Sequence, residues 1–200
     1  QFLTGGGIGL LYLSFYAAFN FYELIGPSLA FGAMVVVTII ASLLAVRYDA
    51  MFIGVLTLAG GFLTPALVST PEPNYFILFA YLTLLNGGLL AMNYEKNWRI
   101  LNIGSFIVTW GWFFLWYISE YTSQDILFAQ SFSAIFWLIF VASGFAFYYT
   151  HKRSLDNLDL GFLTLNGLVF FAVSYDLFES NESLSEVIGL VPALLALVYT

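Results

Sequence analysis

The sequence predicts an all-α protein, a polytopic transmembrane helical bundle with about eight spans. Of its 200 residues, 61% are hydrophobic and only 8% are charged, whereas a soluble domain has roughly 45–50% and about 25%. Apolar runs of the length that crosses a bilayer, about 20 residues, follow one another along the chain. Too few charges remain to cover a water-facing surface, which excludes a soluble enzyme, a disordered tail and a nucleic-acid binder with a basic face.

The predicted spans follow one another with short polar connections. They are residues 2–22, 28–46, 50–69, 75–94, 100–119, 128–150, 160–177 and an eighth that begins near residue 187. Because the chain starts without Met and stops inside an apolar run, we expect residues 1–200 to be a single transmembrane region from a longer membrane protein.

The basic residues predict the orientation of these spans. All five lie in even-numbered connections or at their edges: Arg47, Lys96, Arg99, Lys152 and Arg153. The odd-numbered connections and their flanks carry eight acidic residues and no basic one. By the positive-inside rule, the even-numbered connections and the start of the first helix are cytoplasmic.

Cysteine labelling tests this orientation directly, because the chain has no Cys of its own. We expect a Cys at Ser154, in an even-numbered connection, to react with an impermeant thiol reagent only from the cytoplasmic side. A Cys at Ser180 is expected to react only from outside. If both positions react from the same side, the predicted topology is wrong.

Three glycine-rich segments have alternative interpretations. Gly5 and Gly9 in the first span are spaced as in GxxxG, which allows close helix packing in lipid. The third span contains Gly60, Gly61, Thr64 and Pro65, and the eighth repeats the pattern with Gly189 and Pro192. Such interruptions are typical of transporter sites built from broken helices, but they also occur as ordinary proline kinks.

Two asparagines are the most polar groups deep in their spans. Asn86 lies in the segment YLTLLNG and Asn166 in FLTLNG, a short similarity between helices of opposite predicted direction. This is the pattern of an inverted repeat, although chance also produces so short a match. The amides either line a polar path or hydrogen-bond between helices.

The sequence lacks the side chains that a catalytic or metal-binding site would need. There is no Cys, and the one His, His151, lies at the cytoplasmic edge beside Lys152 and Arg153. No charged residue lies at mid-span, where one would indicate an ion or proton relay. We therefore expect a protein that is not an enzyme, with no cofactor and no metal.

Part of the chain resembles a known family. The segments that carry the resemblance are residues 5–19 (GGGIGLLYLSFYAAF), 47–49 (RYD) and 58–65 (LAGGFLTP), and it is clearest over about residues 5–100, including Asn86 and Trp98. They resemble a family of large bacterial predicted membrane proteins of uncharacterised function. The resemblance implies a polytopic inner-membrane protein with more helices than these residues contain, often with a cytoplasmic N-terminal region, and it implies no reaction.

Two functions are compatible with these observations. The first is a transporter or channel-like protein for small molecules or for lipid or envelope components, in the bacterial cytoplasmic (inner) membrane. The second is a non-transporting scaffold or sensor that anchors cytoplasmic or envelope partners. The expected partners are the lipid bilayer and further transmembrane helices of the same chain, with no nucleic acid. A polar cavity beside Gly60, Gly61, Pro65 and Asn86 would favour transport, and a dry, packed interior would favour the scaffold.

Overall fold

The computed structural model describes residues 2–68, 74–96, 98–151, 156–179 and 190–199, and every regular element in them is helical. In chain order the helices are α1 (Phe2–Asn20), α2 (Pro27–Arg47), α3 (Met51–Leu67), α4 (Tyr75–Glu95), α5 (Arg99–Ser119), α6 (Ile126–His151), α7 (Asn157–Glu179) and α8 (Leu190–Tyr199). A short 3₁₀ turn, Ser123–Asp125, precedes α6. The all-α prediction is confirmed, and the predicted spans match these helices within a few residues.

The number of demonstrable spans is smaller than predicted. Within the described residues, five helices are long and apolar enough to cross a bilayer, namely α2, α4, α5, α6 and α7. α3 is apolar but has only 17 residues, and the described part of α8 has 10. About eight spans is therefore more than this part of the chain shows.

Local sequence signals set several helix ends. Pro27 occupies the first turn of α2, where its missing N–H interrupts no helical bond. Asn74 caps α4 by accepting a hydrogen bond from the Ile77 backbone N–H at 3.1 Å. Asp156 caps α7 in the same way, from the N–H of Asp159 at 3.0 Å. Polar caps outside apolar runs explain why the connections are short and the boundaries predictable.

The chain divides into two compact units, Gln1–Ser105 and Phe106–Thr200. In the first unit α2 packs against α1 and α3, α1 also contacts α3, and α4 contacts α2 and α3. In the second unit α7 packs against α6 and α8. Aromatic rings of α5, such as Phe106, pack edge-on against Phe140 of α6 and Phe162 of α7.

Candidate functional site

Helix α3 continues through its glycines and proline without a break. Pro65 has no N–H, so it cannot bond to the carbonyl of Gly61 four residues earlier. The hydroxyl of Tyr81, on α4, donates to that carbonyl at 2.8 Å. Thr64 donates its own hydroxyl to the carbonyl of Gly60, also at 2.8 Å. An unpaired carbonyl is costly in hydrocarbon. The Tyr81 hydroxyl supplies the donor that Pro65 lacks for Gly61, and the Thr64 hydroxyl adds a second bond at Gly60.

The two glycines of α3 are positions of close packing. A Cβ on Gly60 would lie 2.5 Å from Cζ of Tyr12 in α1, and one on Gly61 would lie 2.6 Å from Cδ1 of Leu85 in α4. The Tyr12 ring is held in place, since its hydroxyl forms a 2.7 Å hydrogen bond with Thr38 of α2. The glycines thus let α1 and α4 approach α3 closely.

A cleft of about 630 Å³ lies in the first unit, between α2 and α4. It borders the packing around Gly61, since Thr38, Tyr81 and Leu85 both line the cleft and lie nearest to that glycine. Its lining residues come from α2 between Val35 and Arg47, from α4 between Tyr81 and Met92, and from α3 at Thr57 and Leu58. Most lining side chains are aliphatic, with a few hydroxyl groups and Arg47 at one end. Gly60, Gly61, Pro65 and Asn86 are not part of its lining.

One glycine of α4, Gly88, leaves space in the cleft for a larger side chain. Gly88 lines the cleft, and a Cβ built on it would meet no atom within 4 Å. Its neighbour Gly87 also has no atom within 4 Å of its would-be Cβ, but it does not line the cleft. These adjacent positions give a matched pair for filling the cleft selectively.

The Arg47 end of the cleft carries charge. Asp49, just after α2, forms a 3.0 Å ion pair with Lys96, just after α4. This pair places the second and fourth connections at the same end of the first unit. Arg47 itself is exposed, and among the described side chains no carboxylate lies within 4.0 Å of its guanidinium.

The second unit has a separate set of interhelical hydrogen bonds. Asn166, fully buried on α7, donates to the carbonyl of Trp137 on α6 at 3.0 Å. Nearer the start of α6, Gln130 donates to Ser174 of α7 at 3.1 Å. Tyr117, at the end of α5, donates to a carboxylate oxygen of Asp176 at 2.6 Å. These contacts give Asn166 the role of joining helices.

Other residues singled out in the sequence are placed as follows. A Cβ on Gly5 would lie 2.9 Å from Leu56 of α3, whereas one on Gly9 would have no atom within 4 Å, so of this pair Gly5 alone makes a close approach to described residues. Asn86 is buried and donates to Leu82 of its own helix. Pro192 is exposed in the first turn of the described part of α8.

Some predicted positions lie outside the described residues, namely Gly189, Lys152 and Arg153, so the structure does not locate the eighth-span break or the sixth connection. Arg99 begins α5. Within the described segments, no group of three or more acidic or histidine side chains could hold a metal ion.

Neither the cleft nor the tyrosine contacts could be predicted from the sequence. Tyr12 and Tyr81 stand inside apolar runs, where nothing distinguishes them from core aromatics. One signal was present for Tyr81: a proline inside a membrane helix requires a donor for the carbonyl four residues before it. Which helix supplies that donor depends on packing and is not readable along the chain.

Long apolar helices joined by short capped turns define a polytopic α-helical membrane protein. A family model described as "Predicted membrane protein (DUF2339)" matches residues 1–200, and the chain belongs to that family. The membrane family inferred from the sequence is thereby confirmed, over the whole chain rather than mainly residues 5–100. Neither the curated proteins nor the solved structures contain a match to this chain.

Proposed function

We propose that this chain is part of a non-enzymatic transporter for a lipid or another envelope amphiphile, located in the bacterial inner membrane. The observation that carries the proposal is the α2–α4 cleft. Its volume of about 630 Å³ is within the roughly 300–1,000 Å³ of small-molecule sites. Its mainly aliphatic lining suits an acyl chain better than a polar solute or an ion.

The same packing also supports the second function. Gly60 and Gly61 are tightly packed, and Tyr12, Thr38 and Tyr81 make hydrogen bonds within the protein. Helix α3 is therefore closely packed at its two glycines, which favours a scaffold or sensor that holds a lipid in the cleft without moving it across the membrane. The two functions share the cleft and differ only in whether the ligand crosses the bilayer.

Filling the cleft tests both functions. Gly88→Phe would place a phenyl ring in the cleft. Gly87→Phe would place the same ring on the preceding residue of α4, which does not line the cleft. Both substitutions remove a helical glycine, so their effects on helix propensity are matched. We expect wild-type and Gly87→Phe proteoliposomes to translocate a fluorescent phospholipid, and Gly88→Phe proteoliposomes to match protein-free vesicles.

The readouts are bleaching of the fluorescent lipid by an impermeant reductant and, separately, retention of lipid by the purified protein. Retention that Gly88→Phe abolishes, without translocation by the wild type, would support the scaffold or sensor. Equal retention in the wild type and Gly88→Phe would contradict any lipid role for the cleft.

A further inference from the structure

The depth of the cleft matches one leaflet of the bilayer. At about 1.5 Å per residue, the lining stretch of α2 from Val35 to Arg47 is about 18 Å long, close to half of a hydrocarbon core about 30 Å thick. Its Arg47 end lies beside the Asp49–Lys96 pair that follows α2 and α4. The cleft therefore runs from one membrane surface to about the middle of the bilayer.

The inner end of the cleft coincides with the hydrogen-bonded part of the first unit. Thr38 and Tyr81 line the cleft there. Thr38 bonds to Tyr12, and Tyr81 bonds to the carbonyl of Gly61. Because these hydroxyl groups already have partners, they do not call for a polar ligand group. The midplane end is suited to the terminal part of an acyl chain.

The outer end differs in charge. Lys96 is paired with Asp49 at 3.0 Å, whereas Arg47 lines the cleft and is exposed, with no carboxylate within 4.0 Å among the described side chains. An Arg at the headgroup level donates several hydrogen bonds to a phosphate in a fixed geometry. A mainly aliphatic cleft with an exposed guanidinium at its outer end is complementary to a lipid with an acidic headgroup.

We propose that the cleft binds one acyl chain of an anionic phospholipid from the leaflet at the Arg47 end, with the phosphate on Arg47. The inference rests on the proposed lipid function and adds the headgroup charge, the leaflet and the orientation. The basic residues of the even-numbered connections predict that this leaflet is the cytoplasmic one. The volume accommodates one chain, and the second chain stays in the surrounding bilayer.

Competition between two phospholipids tests the headgroup preference. The purified full chain in detergent is given equal amounts of phosphatidylglycerol and phosphatidylcholine with the same acyl chains, and native mass spectrometry measures the ratio retained. We expect the wild type to prefer phosphatidylglycerol roughly fivefold, the factor that corresponds to about 1 kcal/mol per basic residue at a membrane surface. Arg47→Gln is expected to bring the ratio close to one, and Arg47→Lys, which keeps the charge but loses the planar set of N–H donors, to keep only part of the preference.

The double variant Asp49→Asn/Lys96→Gln is the control, because it removes the neighbouring ion pair at the same end without freeing a carboxylate, and neither residue lines the cleft. We expect it to keep the preference. If Arg47→Gln keeps the preference, or Asp49→Asn/Lys96→Gln loses it equally, the assignment to Arg47 is wrong while the lipid function stands. If Gly88→Phe retains both lipids as the wild type does, the cleft is not the lipid site and both proposals fail.

Discussion

Gly60→Leu is expected to destabilise the first unit by about 3 kcal/mol, the upper part of the range for overpacking a tight interior. Even a Cβ at this position would lie 2.5 Å from Cζ of Tyr12. The ring cannot turn aside freely, because its hydroxyl is bonded to Thr38 and its side chain is buried. The substitution therefore separates α1 from α3 or breaks the Tyr12–Thr38 bond.

The measurement is the free energy of unfolding in lipid–detergent micelles, followed by tryptophan fluorescence. Gly32→Leu on α2 is the control, since a Cβ there would meet no atom within 4 Å, and we expect it to have little effect. Tyr12→Ala should make room for the new leucine, so the double variant is expected to lose at least about 1 kcal/mol less than the sum of the single losses. Equal losses from Gly60→Leu and Gly32→Leu would contradict the packing described here.

Tyr81→Phe is expected to cost about 1–3 kcal/mol, the penalty for leaving a buried hydrogen-bonding group without a partner. The group concerned is the carbonyl of Gly61, which Pro65 cannot satisfy and to which Tyr81 donates at 2.8 Å. Phenylalanine keeps the ring and its packing and removes only the donor. Tyr94→Phe, at an exposed tyrosine of the same helix, is the control and is expected to be nearly neutral.

A double-mutant cycle with Pro65→Ala identifies the cause of that loss. Alanine restores the backbone N–H that an α-helix directs at the carbonyl four residues earlier. In the Pro65→Ala background, Tyr81→Phe is therefore expected to cost less than about 1 kcal/mol. The same cost in both backgrounds would show that the tyrosine hydroxyl does not substitute for the missing backbone bond.

The helices were predictable from the sequence because membrane insertion is dominated by local composition. Span lengths follow from bilayer thickness, and caps such as Asn74 and Asp156 lie in the short polar segments between apolar runs. The number of membrane spans was predicted less well, since α3 has 17 residues where a straight span needs about 20. Composition shows that a segment is apolar, but the structure decides where its helix ends.

The candidate site was predicted less well. The sequence drew attention to Gly60, Gly61 and Pro65 as a helix break, but the structure shows a continuous helix there. Their nearest neighbours come from other helices: Tyr12 for Gly60, and Leu85 and Thr38 for Gly61. Asn166 was recognised as an interhelical donor or a path-lining group, and its bond to the Trp137 carbonyl supports the first interpretation.

The sequence by itself determined the membrane environment and the helical secondary structure, because hydrocarbon requires apolar side chains and an internally hydrogen-bonded backbone. It also determined the predicted orientation, because lysines and arginines favour the cytoplasmic side. Only the tertiary structure decided which face of each helix meets another helix. In lipid, apolar faces are interchangeable to the surrounding acyl chains, so periodicity does not reveal the contact face. The α2–α4 cleft and the bond between Tyr81 and Gly61 result from that choice.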